Sequence, residues 1–176
     1  MLKGKICRIL GDNIDTDAII PGRYLHIQNP ADLAKHCFED VLSDFPGSVQ
    51  EGSILIAGRN FGCGSSREQG PIALKAAGIS AVVAVTFARI FYRNAINIGL
   101  PIFECANIYG NVRVGDPLKI DLEMGFIEDE STQEKFGIVP FPNFIRRVME
   151  SQGLINYGKA RLASYHSKQS DKKVQS

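Results

Sequence analysis

SILIAGRNFGCGSSREQGPIALKAAGISAVVAVTFARIFYRNAINIGLPIFE, residues 53–104, carries the decision about the fold. It opens with a short apolar strand over residues 53–57, followed by a glycine-rich loop over residues 58–65. A helix from about Ser66 stops at Gly78. The unbroken apolar run over residues 81–85 fits a strand covered on both faces. A second helix over residues 88–98 stops at Gly99, and residues 101–104 supply another strand. Strand, helix, strand, helix, strand in about fifty residues implies right-handed crossovers and a parallel sheet.

Upstream, residues 5–10 read as a strand stopped by Gly11, and residues 12–17 form a polar loop dense in side chains that bond their own backbone. Asn29-Pro30 starts a helix, on which Leu33, Cys37, Phe38, Val41 and Leu42 recur at helical spacing until Pro46-Gly47 ends it. Downstream, short strands over residues 118–122, 126–128 and 135–139 suggest a small β layer. Residues 142–152 read as a short helix with Ile145, Val148 and Met149 inward and Gly153 closing it. From Ser164 the chain is polar and lysine-containing, which predicts a disordered tail over residues 164–176. The prediction is one α/β domain over residues 1–163, with a mainly parallel central sheet and a small C-terminal β layer.

Composition narrows the function. At 176 residues, 44% hydrophobic and 22% charged, the chain suits one soluble domain. A formal net charge of +1 gives no reason to expect nucleic acid or an anionic membrane surface. No apolar stretch is long enough to span a bilayer and no secretory signal is visible, so a cytoplasmic location is expected. The four cysteines, Cys7, Cys37, Cys63 and Cys105, lie too far apart in sequence for a close ligand pair, and the three histidines are scattered. No metal or cofactor is therefore expected on this chain. Cys63 alone lies inside the glycine-rich loop, where a small residue filling a tight turn accounts for it.

That loop, Gly58-Arg59-Asn60-Phe61-Gly62-Cys63-Gly64-Ser65-Ser66-Arg67-Glu68, leaves a strand and enters a helix. Free backbone N–H groups and the positive end of a helix favour an anion there. It is no P-loop, because Gly-x-x-x-x-Gly-Lys is absent, and a dinucleotide fingerprint lacks its third glycine and its acidic residue. A nucleophile elbow would need glycines two places either side of the serine, and Ser65 and Ser66 both fail. Two readings stay open on pattern alone: an anion site, or a glycine turn with Ser66 capping a helix.

Asn60-Phe61-Gly62-x-Gly64-Ser65-Ser66-Arg67-Glu68, then Phe87-Ala88-Arg89-Ile90-Phe91 and Gly99-Leu100-Pro101, resembles the swivel domain of the aconitase superfamily. Upstream, Asp15-Thr16-Asp17-Ala18-Ile19-Ile20-Pro21 resembles that superfamily's Asp-Thr-Asp loop. The likeness covers roughly residues 2–162, and its length resembles the stand-alone small subunits of the isopropylmalate-isomerising branch. It implies a swivelling β/β/α-type domain of a heteromeric hydro-lyase in leucine biosynthesis. Such an enzyme interconverts 2-isopropylmalate and 3-isopropylmalate by dehydration and rehydration, and is active only with a large subunit that carries a 4Fe–4S cluster. The resemblance makes Ser65 the catalytic base and places Ser66 and Arg67 on a substrate carboxylate. An unassisted serine hydroxyl is a poor base, so the reading requires groups that stabilise its alkoxide in a dry site and a Lewis acid from outside this chain. Gln69 departs from the histidine that many relatives carry.

In the same superfamily the loop after the Asp-Thr-Asp motif reads the variable side of the substrate, here Tyr24-Leu25-His26-Ile27. Homoaconitase-type relatives place an arginine where this chain has His26. A loop without a fixed cation suits a branched alkyl group, because a buried carboxylate without one is costly. Dimethylmalate, methylmalate or citraconate, and homoaconitate are the alternatives, the last if Arg23 turned inward. An anion- or nucleotide-binding enzyme complete in one chain and a non-catalytic docking module are the rival classes. The expected partners are the large subunit and a small dicarboxylate, with room for a homo-oligomer when the chain is isolated.

Overall fold

The computed structural model describes residues 1–174, and its architecture turns on β1 (Leu2–Leu10). The first half of β1 pairs antiparallel with β5 (Pro117–Asp121), from Leu2 opposite Ile120 to Lys5 opposite Pro117. The second half pairs parallel with β2 (Ser53–Ala57), after a register shift between Ile6 and Arg8. One long strand thus joins two kinds of sheet. On one side β3 (Ile79–Ala84) and β4 (Ile102–Glu104) continue the parallel pairing. On the other, β6 (Phe126–Asp129) and β7 (Lys135–Gly137) continue the antiparallel pairing. The seven-stranded order is β4-β3-β2-β1-β5-β6-β7.

Every residue of β2 is buried, and alternation sends its side chains to two different cores. Leu55 and Ala57, with Val82 and Ala84 of β3, face a helical layer. That layer includes Ile19 of α1 (Thr16–Ile19), Leu33 of α2 (Pro30–Ala34), Leu74 of α4 (Gln69–Ala76) and Phe91 of α5 (Arg89–Ile98). Ile54 and Ile56, with Ala81 and Val83, face Leu118, Ile120, Ile127 and Phe136 of the antiparallel strands. The antiparallel layer therefore folds over the other face of the parallel sheet, the β/β/α arrangement expected. Each large apolar side chain so buried contributes roughly 1.5–3 kcal/mol, enough to fix the register of every parallel strand.

Three expectations differ. The helix expected from Asn29 to Pro46 ends at Ala34, and α3 (Phe45–Ser48) is a separate turn. The Phe38 amide donates to the Ile19 carbonyl at 2.9 Å, and Phe38 takes a left-handed φ of 59° that drops its ring into the core. Burial of a phenyl ring outweighs continuation of the helix. The helix expected from Ser66 begins at Gln69, because the Arg67 amide turns back to the Ser65 carbonyl at 2.8 Å. Lastly, after α6 (Asn143–Glu150) a long α7 (Leu154–Val174) runs through the stretch beyond Ser164. The disorder expected for residues 175 and 176 lies outside the described residues.

Candidate active site

The loops that leave β1, β2 and β3 lie side by side at the carboxyl ends of the parallel strands, where open α/β sheets gather ligands. Backbone bonds sew them together. Gly58 donates to the Leu10 carbonyl at 3.1 Å, Gly62 to Ile14 at 2.7 Å, and Thr16 to Cys63 at 2.8 Å. Asp12 accepts from the Arg59 amide at 2.6 Å, and the Asn60 side chain donates to Asn13 at 2.9 Å. On the far side Phe61 and Phe87 form a bridge, with the Ala88 amide on the Phe61 carbonyl at 2.9 Å. Beneath the loops Phe61, Phe87 and Phe91 form an aromatic plug, the Phe61 and Phe91 rings crossing edge to face at 5.1 Å.

This packing explains the glycines. A methyl group on Gly62 would stand 2.2 Å from the Phe91 ring, and its φ of 75° is left-handed as well. Gly64, at φ 92°, brings the chain to Thr16, whose hydroxyl would lie 3.3 Å from an added Cβ. Ser65 emerges from this turn exposed, while Thr16 beneath it is buried. The Ser65 amide donates to Thr16 Oγ1 at 3.2 Å, Thr16 Oγ1 donates to the Ser65 carbonyl at 3.2 Å, and the two hydroxyls are 3.4 Å apart. Ser66 is exposed beside it and does not cap a helix, since Glu68 holds the N-cap position of α4.

Arg67 is mostly covered, and its guanidinium donates to the carboxylate of Asp17, which is exposed. Asp15 caps α1 by accepting from the Ala18 amide at 2.6 Å, which turns Asp17 toward Arg67. The chain next runs past the same guanidinium: a methyl group on Gly22 would lie 3.6 Å from both terminal nitrogens of Arg67. The loop of Tyr24, Leu25, His26 and Ile27 thus begins beside the serine–arginine turn.

Within that loop His26 is exposed, whereas Tyr24, Leu25 and Ile27 are half-buried against the helical-side core. The Tyr24 ring stacks on His36 at 3.7 Å and its hydroxyl donates to Glu39 at 3.0 Å. His36 Nδ1 lies 2.6 Å from the other Glu39 oxygen, and this contact, with the Tyr24 hydroxyl, holds the Glu39 carboxyl below its usual range. Arg23 grips Asp40 with two bonds, at 2.7 and 2.5 Å, and these bonds, helped by its charge, keep the Asp40 carboxyl low. Among the described residues no group of His, Cys, Asp and Glu is arranged to hold a metal ion.

Thr16 and Asp17 are working members of this arrangement that went without a role in the sequence. Their signal was the Asp-Thr-Asp triplet itself, a short polar run lacking any turn glycine of its own. Gln69 is a third: its side-chain nitrogen lies 3.5 Å from the Leu25 carbonyl and ties the first residue of α4 to the 24–27 loop.

A family model described as the aconitase C-terminal domain matches residues 1–107. The chain belongs to that family. Among curated members of the family, the 3-isopropylmalate dehydratase small subunit of Caldicellulosiruptor saccharolyticus is 52% identical over 92% of this chain and 93% of its own. That of Moorella thermoacetica is 52% identical over 89% of this chain and 94% of its own. The crystal structure of 3-isopropylmalate dehydratase from Methanocaldococcus jannaschii superposes with a TM-score of 0.88, at 42% identity, covering 95% of this chain and 98% of that one. The aconitase-type fold thus extends over almost the whole of this chain, well past the residues that the family model matches.

Proposed function

We propose that this chain is the small subunit of a 3-isopropylmalate dehydratase, a hydro-lyase active only with its large subunit. The enzyme interconverts 2-isopropylmalate and 3-isopropylmalate by removing water and adding it back. The observation that carries this reading is an exposed Ser65 hydroxyl, fixed by Thr16, next to an arginine whose guanidinium is already oriented toward a carboxylate. Ser65, entering the step as its alkoxide, would take the proton from the carbon beside a substrate carboxylate, becoming the hydroxyl, and return it in the reverse reaction. Arg67 would grip that carboxylate with two N–H groups, displacing Asp17, and Ser66 would add a hydroxyl contact. An alkoxide at Ser65 is too costly in open water, so the exposed face must be covered during turnover. The large subunit is the cover. The described residues do not fit a 4Fe–4S cluster, which we place on that subunit.

Among the described residues no helix is long and apolar enough to cross a membrane, and we place the enzyme in the cytoplasm. The test is reconstitution of Ser65→Ala with the large subunit. Turnover of isopropylmalate should fall by at least about 10²–10⁴-fold with assembly intact, the usual worth of a positioned base. Near-normal turnover would place the base elsewhere.

A further inference from the structure

We propose that Asp40 sets substrate choice by holding the Arg23 guanidinium off the exposed side of the 22–27 loop, an inference that rests on the functional reading above. Arg23 is the fixed cation nearest in sequence to the 24–27 loop, which we assign to the variable side of the substrate, and it follows directly on Gly22, which abuts Arg67. Left alone, a guanidinium on a flexible stem at that point would attract any additional carboxylate bound near Arg67. The structure disposes of it. Both prongs close on Asp40, at 2.7 and 2.5 Å, Glu39 lies 3.7 Å away, and the guanidinium carbon rests 4.7 Å over the Tyr24 ring. A two-pronged pair to a carboxylate of its own chain saturates the geometry by which arginine would grip a ligand carboxylate.

The clamp is also braced from behind. Tyr24 is fixed by stacking on His36 and by its bond to Glu39, so the ring under Arg23 cannot swing away without breaking both. Glu39 uses one oxygen for Tyr24 and the other for His36, which leaves Asp40 as the principal anion for Arg23. Asp40 touches no part of the serine–arginine turn in this arrangement. It is a positioning residue that acts through Arg23. An exposed ion pair like this one adds little to stability, so its charge pattern bears on selectivity more than on the fold.

The experiment compares kcat/KM for homoaconitate, a tricarboxylate, with that for 3-isopropylmalate in complexes reconstituted with wild-type, Asp40→Ala, Arg23→Ala and Asp40→Ala/Arg23→Ala chains. Asp40→Ala should raise the ratio of tricarboxylate to isopropylmalate by roughly tenfold or more, the scale on which one charged contact discriminates substrates. Arg23→Ala and the double variant should leave the ratio within about twofold of wild type, because neither carries the freed cation. A loop merely loosened by loss of the pair would respond alike to Asp40→Ala and Arg23→Ala, and that result overturns the proposal. An unchanged ratio in Asp40→Ala overturns it too. A wild-type complex inactive on isopropylmalate overturns the functional reading and this inference with it, whereas an active wild type with an indifferent Asp40→Ala overturns the inference alone.

Discussion

Thr16 Oγ1 sits 3.2 Å from both the amide nitrogen and the carbonyl oxygen of Ser65 and 3.4 Å from its hydroxyl. A hydroxyl owns one proton, and in the resting arrangement it goes to the Ser65 carbonyl. The Ser65 hydroxyl can then donate to Thr16. Once Ser65 has lost its proton, Thr16 can rotate its own toward the alkoxide, a donor waiting where negative charge develops. Thr16→Val preserves shape and removes that donor. We expect kcat in the reconstituted complex to fall about 10²-fold, the usual worth of one such donor, with little change in KM. Thr16→Ser should retain most activity. Equal losses in the two variants would mean that packing at Thr16, not its proton, supports Ser65.

Arg67→Lys tests the carboxylate grip. Lysine can keep the attraction to Asp17, because that contact needs only a point charge, but it cannot present two parallel N–H groups to a substrate. KM should rise at least about tenfold while assembly and thermal stability hold, since the pair is half in solvent and contributes little to the fold. Steady-state kinetics beside a melting curve checks both. A falling Tm with unchanged KM would make Arg67 a structural residue.

The cysteines separate by burial. Cys37 and Cys105 are buried and Cys7 is partly so, and desolvation pushes all three thiols above the ordinary value of 9.0. Cys63 is partly exposed in the site loop. A thiol reagent at neutral pH should therefore modify Cys63 first, and mass spectrometry of the labelled peptides reads the order. Above about pH 9 the unfolded chain sheds thiol protons that the folded chain retains, so stability is full below that value and declines as pH rises beyond it. Cys37→Ala should flatten the alkaline limb of a denaturation series, and a limb that keeps its slope would contradict this account.

Strand β2 and the end of α5 at Gly99 were legible because one signal dominated each: an apolar run bounded by glycine, and a glycine that accepts a left-handed φ. The helix through Phe38 was not, because its apolar spacing is also the spacing of residues that reach the core from a broken turn. Only the tertiary bond from Phe38 to Ile19 decides between them. The same holds at the site. Ser65, Ser66 and Arg67 stand together in the sequence and together in space. Thr16 and Asp17 lie some fifty residues upstream, and only the parallel pairing of β1 with β2 brings them alongside. Local pattern carries elements, and long-range pairing carries partners.

The exposed member of the 24–27 loop is His26, and it should decide how the complex treats an acidic side group. Leu25 and Ile27 turn much of their surface into the core, and the exposed residue between them carries an imidazole rather than a guanidinium. Covering an isopropyl group there would contribute roughly 1–3 kcal/mol, or about 10–200-fold in discrimination. A carboxylate in the same place would have to shed its water with no guanidinium to meet it, since Arg23 is engaged by Asp40. His26→Arg supplies that guanidinium directly. It should raise kcat/KM for homoaconitate and lower it for isopropylmalate, whatever Arg23 does. The comparison needs three substrates, isopropylmalate, dimethylmalate and homoaconitate, on wild-type and His26→Arg complexes. If homoaconitate is already preferred by the wild type, the loop does accept a carboxylate and the apolar argument fails. If dimethylmalate is preferred, the apolar argument stands and the assignment to leucine biosynthesis falls, because two methyl groups would then fill the space better than an isopropyl.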